Sequence, residues 1–262
     1  MKLAVAGSSG RMGQMILAAA QACEDLHVVA ALDRPGSPSL GQDCLAFLGR
    51  SSGVAVTDRL EALAHAEVLI DFTRPEATLR YLPACVAGRI GMVIGTTGFD
   101  AAGKAALEQA SRSIAMVVAP NMSVGVQVLL RLVETGARLM GEQFDLEILE
   151  MHHRDKVDAP SGTALQIGEI AARARGRTLA DCAVYARQGH TGPRAPGSIG
   201  FATLRGGDVI GEHTVLFAGA GERIEITHRS TSRQSYALGA LRAARFLAGR
   251  APGLYGMQDV LA

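Results

Sequence analysis

Between Lys2 and Val118 the chain alternates short apolar runs with helical patterns, and this alternation restricts the fold more than anything else in the sequence. Lys2–Gly7, His27–Leu32, Val68–Phe72, Met92–Gly95 and Ile114–Val118 are rich in Val, Ile and Leu. They are long enough for strands and too short for buried helices. Arg11–Ala22, Glu76–Ala87 and Ala101–Arg112 lie between them and carry helical periodicity. Near-continuous apolar strands belong to sheets covered on both faces, and strands joined through helices run parallel. The prediction is therefore an α/β fold, a doubly wound parallel sheet that takes ligands at the carboxyl ends of its strands.

Past Val118 the pattern changes. Ser123–Met140 predicts one long amphipathic helix, with Val124, Val128, Leu132 and Leu139 near one face. Phe144–Met151, Ile199–Leu204, Glu212–Phe217 and Arg223–Thr227 then predict strands with one clear helix among them, Thr163–Ala174. That imbalance implies a second α+β domain with a mixed or antiparallel sheet. Arg187–Gly200, rich in Gly, Pro and Arg, predicts a long loop. Ser232–Leu247, with Ser232 as N-cap, predicts a helix packing back on the first domain.

With 262 residues, 48% of them hydrophobic, the chain has material for one large or two modest cores. Its formal charge of +1 gives no global reason to bind nucleic acid. No apolar run approaches the roughly 20 residues of a membrane span, and no secretory signal is expected at Met1–Ala6. Cys23, Cys44, Cys85 and Cys182 are scattered without C-x-x-C spacing, which predicts reduced thiols in a cytoplasmic protein and no metal.

Gly7-Ser8-Ser9-Gly10-Arg11-Met12-Gly13 follows the first strand and opens the first helix, where backbone N–H groups and the helix dipole can hold a pyrophosphate. Its G-x-x-G-x-x-G spacing departs from G-x-G-x-x-G, and such glycines also serve tight turns with no ligand. The context favours a dinucleotide: Asp33 ends the second strand where such folds place the acid that binds the adenosine ribose, although alone it reads as a turn residue. Asp33 favours NADH, while Arg34 suits the 2′-phosphate of NADPH, so NADH is the expected preference with NADPH also used. Gly95-Thr96-Thr97-Gly98, Asp71-Phe72-Thr73-Arg74-Pro75 and Ala119-Pro120-Asn121-Met122 close the other strands at the same edge. They suit the nicotinamide half, or read as ordinary turns; Thr73 also reads as a cap for the helix that Pro75 begins, and Asn121 as a carboxamide partner or a turn closer.

The run Glu150-Met151-His152-His153-Arg154-Asp155-Lys156-Val157-Asp158-Ala159-Pro160-Ser161-Gly162-Thr163-Ala164 passes from strand to helix. A histidine is the natural proton donor near neutrality, and Lys156 suits a carboxylate or developing negative charge. Ser161 caps the helix, and Gly162 and Thr163 then present amides and a hydroxyl at its positive end. The competing readings are a polar strand end, or a metal site through the histidines with Asp155 or Asp158, which lacks ligand spacing.

That run resembles the signature of the 4-hydroxy-tetrahydrodipicolinate (dihydrodipicolinate) reductase family of lysine and diaminopimelate synthesis. Supporting stretches include Gly10–Gly13, Asp71–Glu76, Met92–Phe99, Asn121–Val126, Gly189–Gly192 and Gly211–Thr214. The resemblance covers the whole chain. It implies a Rossmann-like dinucleotide-binding domain from residues 1–122 and 233–262, with a substrate-binding and oligomerisation domain, 123–232, that assembles homotetramers through its sheet. It further implies reduction of a cyclic dicarboxylate with NAD(P)H, hydride going to ring C4. Carried over by position, His152 is the proton donor, Lys156 its catalytic or binding partner, and His153, Gly162 and Thr163 are substrate contacts. The cofactor contacts are Gly7, Ser8, Ser9, Gly10, Arg11, Met12, Asp33, Arg34, Arg74, Gly95, Thr96, Thr97, Ala119, Pro120, Asn121 and Met122. Met122 stands where the family often has Phe. Two rivals keep the glycine turn and Asp33: another dehydrogenase on the same fold, which has no need of H-H-x-x-K followed by S-G-T, and a non-enzymatic NADH sensor.

Overall fold

The computed structural model describes residues 1–262 and divides into two compact units, one built from Met1–Val124 with Arg233–Ala262, the other from Gly125–Ser232. The first unit opens with β1 (Lys2–Ala6), α1 (Arg11–Gln21), β2 (His27–Leu32), β3 (Val56–Thr57), β4 (Val68–Asp71), α2 (Pro75–Gly88), β5 (Gly91–Ile94), α3 (Ala101–Ser111) and β6 (Ala115–Val118). These strands lie in the order β6-β5-β4-β1-β2-β3, every neighbouring pair parallel. Alternation along each strand fills both faces. Leu3, Val5, Ile70, Val93 and Val117 join the α1 residues Ile16 and Leu17 in one core, and Ala4, Leu69, Met92, Ile94 and Met116 join Tyr81, Leu82 and Leu107 in another. Two-sided burial is why these strands read as unbroken apolar runs.

The second unit contains α4 (Val124–Met140), whose first residue still belongs to the first unit, then β7 (Asp145–His152), α5 (Gly162–Ala174), the single turn α6 (Leu179–Cys182), β8 (Ala183–Val184), β9 (Ile199–Arg205), β10 (Gly211–Ala218) and β11 (Arg223–Ser230). Its five-stranded sheet has the order β11-β10-β7-β9-β8. β7 runs antiparallel to β10 and parallel to β9, so the sheet is mixed. One face carries Leu146, Ile148, Val215 and Phe217, which pack with α5 residues such as Ile167 and Ala171 and with the buried stripe of α4. That stripe is Val126, Leu129, Leu130, Val133 and Ala137, and not the face expected from the sequence: Val128, Leu132 and Leu139 are exposed. α4 carries apolar residues on both sides, and burial selects the side with the unbroken i, i+3, i+4, i+7 spacing.

The chain then returns to the first unit through α7 (Gln234–Leu247), β12 (Gly253–Tyr255) and α8 (Met257–Val260). β12 adds a parallel edge strand beside β6, making the sheet seven-stranded. α7 buries Ala237, Ala240, Leu241, Ala244 and Leu247 in the same core as α1. Its N-cap is Arg233, with no side-chain cap bond; Ser232, the expected cap, lies one residue earlier and its carbonyl accepts from the Ser230 hydroxyl at 3.2 Å. No helix is long and apolar enough to cross a membrane.

Candidate active site

In the first unit the strands end where the sequence places its glycine turn, and the backbone there is tightly determined. Gly7 sits at φ +64°, a left-handed conformation open to glycine, and its carbonyl accepts from the Gly10 amide at 2.9 Å. A Cβ on Gly13 would stand 2.1 Å from that carbonyl oxygen, so α1 approaches the turn as closely as only glycine permits. The amide of Ser8 is committed to Leu32 O at 3.0 Å and that of Ser9 to the Asp33 carboxylate at 3.2 Å, with the Ser9 hydroxyl donating to the same oxygen. Arg11 and Met12 begin α1, where amides have no acceptor within their own helix. The amides left without a partner in the helix are therefore those at the start of α1, and Ser8 and Ser9 hold the turn before them.

Asp33 directly follows β2, nearly buried, while Arg34 beside it is exposed. Gly95, Thr96 and Thr97 follow β5; a Cβ on Gly95 would meet the Phe72 ring at 2.2 Å. Arg74 is exposed at the N-cap of α2. Thr73, read from the sequence as a possible cap there, instead donates its hydroxyl to Asp71 Oδ1 at 2.6 Å and its amide to Thr96 Oγ1 at 2.9 Å. Asp71 is fully buried, and desolvation raises its pKa against those hydrogen bonds. Ala119, Pro120, Asn121 and Met122 follow β6; Asn121 Oδ1 accepts the Ser123 amide at 2.9 Å, and the Met122 side chain is fully buried in the core. All the cofactor candidates thus share the carboxyl edge of one parallel sheet. A crevice of about 980 Å³ lies at the other edge, among Glu67, Gly91, Ile114 and Ala115, and contains none of them.

In the second unit β7 alternates inward and outward, and Glu150 and His152 continue the inward series begun by Leu146 and Ile148. Two polar groups therefore occupy positions the pattern reserves for apolar ones. Glu150, 2% exposed, accepts at Oε2 from His152 Nδ1 at 2.5 Å and from Arg205 at 2.8 Å. Its Oε1 accepts from Arg205 at 2.9 Å and from the Ser161 amide at 3.0 Å. Burial pushes the Glu150 carboxyl upward, but hydrogen bonds from His152, Arg205 and Ser161 outweigh it and hold the pKa down at about 2.

Ser161 caps α5, its hydroxyl accepting from the Ala164 amide at 3.2 Å and meeting His213 Nε2 at 3.1 Å. Burial drives the His213 pKa down to about 4, with the charge of His152 adding to it, so His213 is neutral near pH 7. Its ring lies edge-on to His152, centroids 5.2 Å apart. Gly162 and Thr163 occupy the first two positions of α5, and a Cβ on Gly162 would meet nothing within 4 Å. Lys156 Nζ pairs with Asp158 Oδ1 at 2.8 Å, and Arg205 also donates to the Asp158 carbonyl at 2.6 Å. His153 is half-buried outside the Glu150 cluster, and its carbonyl accepts from the Lys156 amide at 3.2 Å. The structure thus gathers His152, Lys156 and the α5 start on one strand-to-helix passage and adds Glu150, Arg205 and His213, which had no assigned role. Nowhere do three or more His, Cys, Asp or Glu side chains converge as a metal-binding group, and all four cysteines are free.

The family model for the N-terminus of dihydrodipicolinate reductase matches residues 1–122, and that for its C-terminus residues 125–261. The 4-hydroxy-tetrahydrodipicolinate reductase of Cupriavidus pinatubonensis is 62% identical, covering 100% of this chain and 99% of that protein. The enzyme of the same name from Burkholderia pseudomallei strain 668 is 59% identical over 100% of this chain and 99% of its own. A solved structure of dipicolinate-bound dihydrodipicolinate reductase from Paenisporosarcina sp. TG-14 superposes with a TM-score of 0.77 at 26% identity, covering 100% and 99% of the two chains. The chain belongs to the dihydrodipicolinate reductase family, a family of nicotinamide-dependent oxidoreductases.

Proposed function

We propose that this chain reduces 4-hydroxy-tetrahydrodipicolinate, through the cyclic unsaturated imine left by loss of water, to tetrahydrodipicolinate in lysine and diaminopimelate synthesis. The observation that carries the reading is the passage from β7 to α5. A buried histidine, a lysine and a capped helix start lie together there, in a chain whose relatives bear that enzyme's name.

The carboxyl edge of the first sheet fits a dinucleotide, because the close approach at Gly13 leaves the start of α1 open to an anion. A bound nicotinamide supplies the hydride, which goes to ring C4. The Gly7–Met12 turn holds the pyrophosphate, chiefly through the Arg11 and Met12 amides, and Asp33 holds the ribose hydroxyls. Arg74, Gly95, Thr96, Thr97, Ala119, Pro120, Asn121 and Met122 surround the nicotinamide half, Met122 by its backbone because its side chain is buried. The Asp33 carboxylate disfavours a 2′-phosphate and makes NADH preferred, while exposed Arg34 lets NADPH serve as well.

On the substrate, His152 gives a proton to the ring carbon left electron-rich by hydride addition, directly or through one water. Its Nδ1 faces Glu150, so Nε2 is the nitrogen that transfers the proton. Lys156, His153, Gly162 and Thr163 hold the carboxylates, and Lys156 shares or gives up its contact with Asp158 to do so. The outer face of the second unit's sheet, with Leu149, Met151, Thr214 and Leu216 only partly buried, supports assembly as a homotetramer. Four free cysteines agree with work in the cytoplasm.

The test follows NADH absorbance with enzymatically generated substrate. His152→Ala lowers kcat by roughly 100- to 10,000-fold with little change in NADH affinity, and Lys156→Ala also loses most activity. Near-wild-type turnover in both variants removes the assignment. Binding of NADH by the wild type with no consumption of it selects the sensor reading.

A further inference from the structure

The buried carboxylate of Glu150 neither gives nor takes the proton in the chemistry just described, yet it stands on β7 in line with inward-facing Leu146 and Ile148. Replacing a buried ionic group by an apolar one of similar size is often neutral or stabilising, so the cluster calls for another explanation. We propose that Glu150 is a positioning residue that sets the tautomer of His152 and, through the same carboxylate, the seat of the α5 anion cradle. The proposal rests on the reading of His152 as proton donor.

Four donors converge on this one side chain: His152 Nδ1, two nitrogens of Arg205 and the Ser161 amide. An ionised carboxylate is acceptor-only, with room for about four such contacts. Arg205 and the Ser161 amide can only donate, and the pKa near 2 keeps the group ionised. The His152 contact must therefore be Nδ1–H donating to Oε2. That leaves Nε2 as the nitrogen carrying the transferable proton, and the carboxylate stabilises the positive ring before it is given up.

The same hub fixes the surroundings. Oε1 holds the residue that caps α5, so the amides of Gly162 and Thr163 are placed relative to His152 through one group. Arg205 extends from Glu150 to the Asp158 carbonyl, and Asp158 pairs with Lys156. Proton donor, lysine loop and helix start thus meet at Glu150–Arg205.

The titratable and charged groups around His152 are Glu150 on its own strand, Arg205 on β9, His213 on β10 with His228 opposite it on β11, and Lys156 and Asp158 on the following loop. His213 and His228 are both held toward the neutral form by burial, so Glu150 is the one anion hydrogen-bonded to the His152 ring.

Glu150→Gln brings an NH2 group against donors and removes the charge. The expected result is a kcat about 100-fold lower, an alkaline limb of the kcat–pH profile moved down by about one unit, and unchanged NADH affinity. Glu150→Asp, which keeps the charge, recovers part of both kcat and the profile. A purely structural role lowers the yield of folded protein without moving the profile. In wild-type enzyme labelled with 15N-histidine, the spectrum should show His152 with a hydrogen-bonded Nδ1–H, a readout independent of whether the variants fold. Wild-type kcat and profile in Glu150→Gln, or a His152 lacking Nδ1–H, overturns the proposal while His152→Ala remains inactive. An active His152→Ala instead overturns the underlying reading of the proton donor.

Discussion

Gly13→Ala is the sharpest test of the cofactor edge, because helix propensity and geometry give opposite signs. Gly13 lies in the first turn of α1, and alanine in a helix is favoured over glycine by about 0.8–1 kcal/mol. Propensity alone therefore makes the variant more stable. The added Cβ, however, would stand 2.1 Å from Gly7 O and 2.8 Å from both Gly7 C and Ser8 Cα, all backbone atoms. The turn has little freedom to yield: Gly7 is at φ +64°, its carbonyl holds the Gly10 amide at 2.9 Å, and Ser8 is tied to Leu32 O at 3.0 Å. Relief requires α1 to withdraw by about 1 Å, an overpacking that costs roughly 1–3 kcal/mol. Set against the propensity gain, the net loss is up to about 2 kcal/mol, or a Tm lower by up to roughly 8 °C at about 2–4 °C per kcal/mol. Withdrawal also carries the Arg11 and Met12 amides away from the pyrophosphate, for an expected loss of about tenfold in NADH affinity, equal to about 1.4 kcal/mol. Thermal melts and a fluorescence titration with NADH measure the two effects. Gly103→Ala, in the first turn of α3, is the contrast, since its Cβ meets only side-chain atoms of Phe99 and Asp100 at 3.1 and 3.2 Å. A Gly13→Ala protein with raised Tm and unchanged NADH affinity would refute the close-approach argument.

Catalytic efficiency is expected to be higher with NADH than with NADPH, and Asp33→Ala should narrow the gap by about tenfold. Equal or better efficiency with NADPH in the wild type contradicts the preference. Light scattering should give a mass near four times the 27.3 kDa chain; a monomer at micromolar concentration removes the tetramer.

What the sequence disclosed followed from how each element is buried. β1, β2, β4, β5 and β6 were legible because strands covered on both faces are apolar without interruption. β3, β8 and β12 were not, since Val56–Thr57, Ala183–Val184 and Gly253–Tyr255 are too short to carry a period and lie at sheet edges. The buried face of α4 was misread because Val128, Leu132 and Leu139 form a second apolar stripe that faces solvent. In the site, His152 and Lys156 stood out as chemistry-bearing residues in one short run. Arg205 and His213 did not, because β-pairing alone brings them in: Arg205 opposes His152 across the parallel β7–β9 pair, and His213 opposes Glu150 across β7–β10. The missed signal was within reach for Glu150. Two steps past Ile148 and two before His152, it interrupts an inward apolar series with a carboxylate.

The return of α7 and β12 to the first unit has a consequence for how the chain is made. On the ribosome, β1 to β6 emerge well before Arg233–Ala262, and one side of their sheet then lacks the cover of Ala237, Ala240, Leu241, Ala244 and Leu247. The β6 edge also waits for β12. Gly239 must finally settle against the Met122 carbonyl, where a Cβ would stand 1.8 Å away. The second unit, uninterrupted in sequence, can complete its core first, while the nascent first unit keeps apolar surface uncovered until its last segment is released.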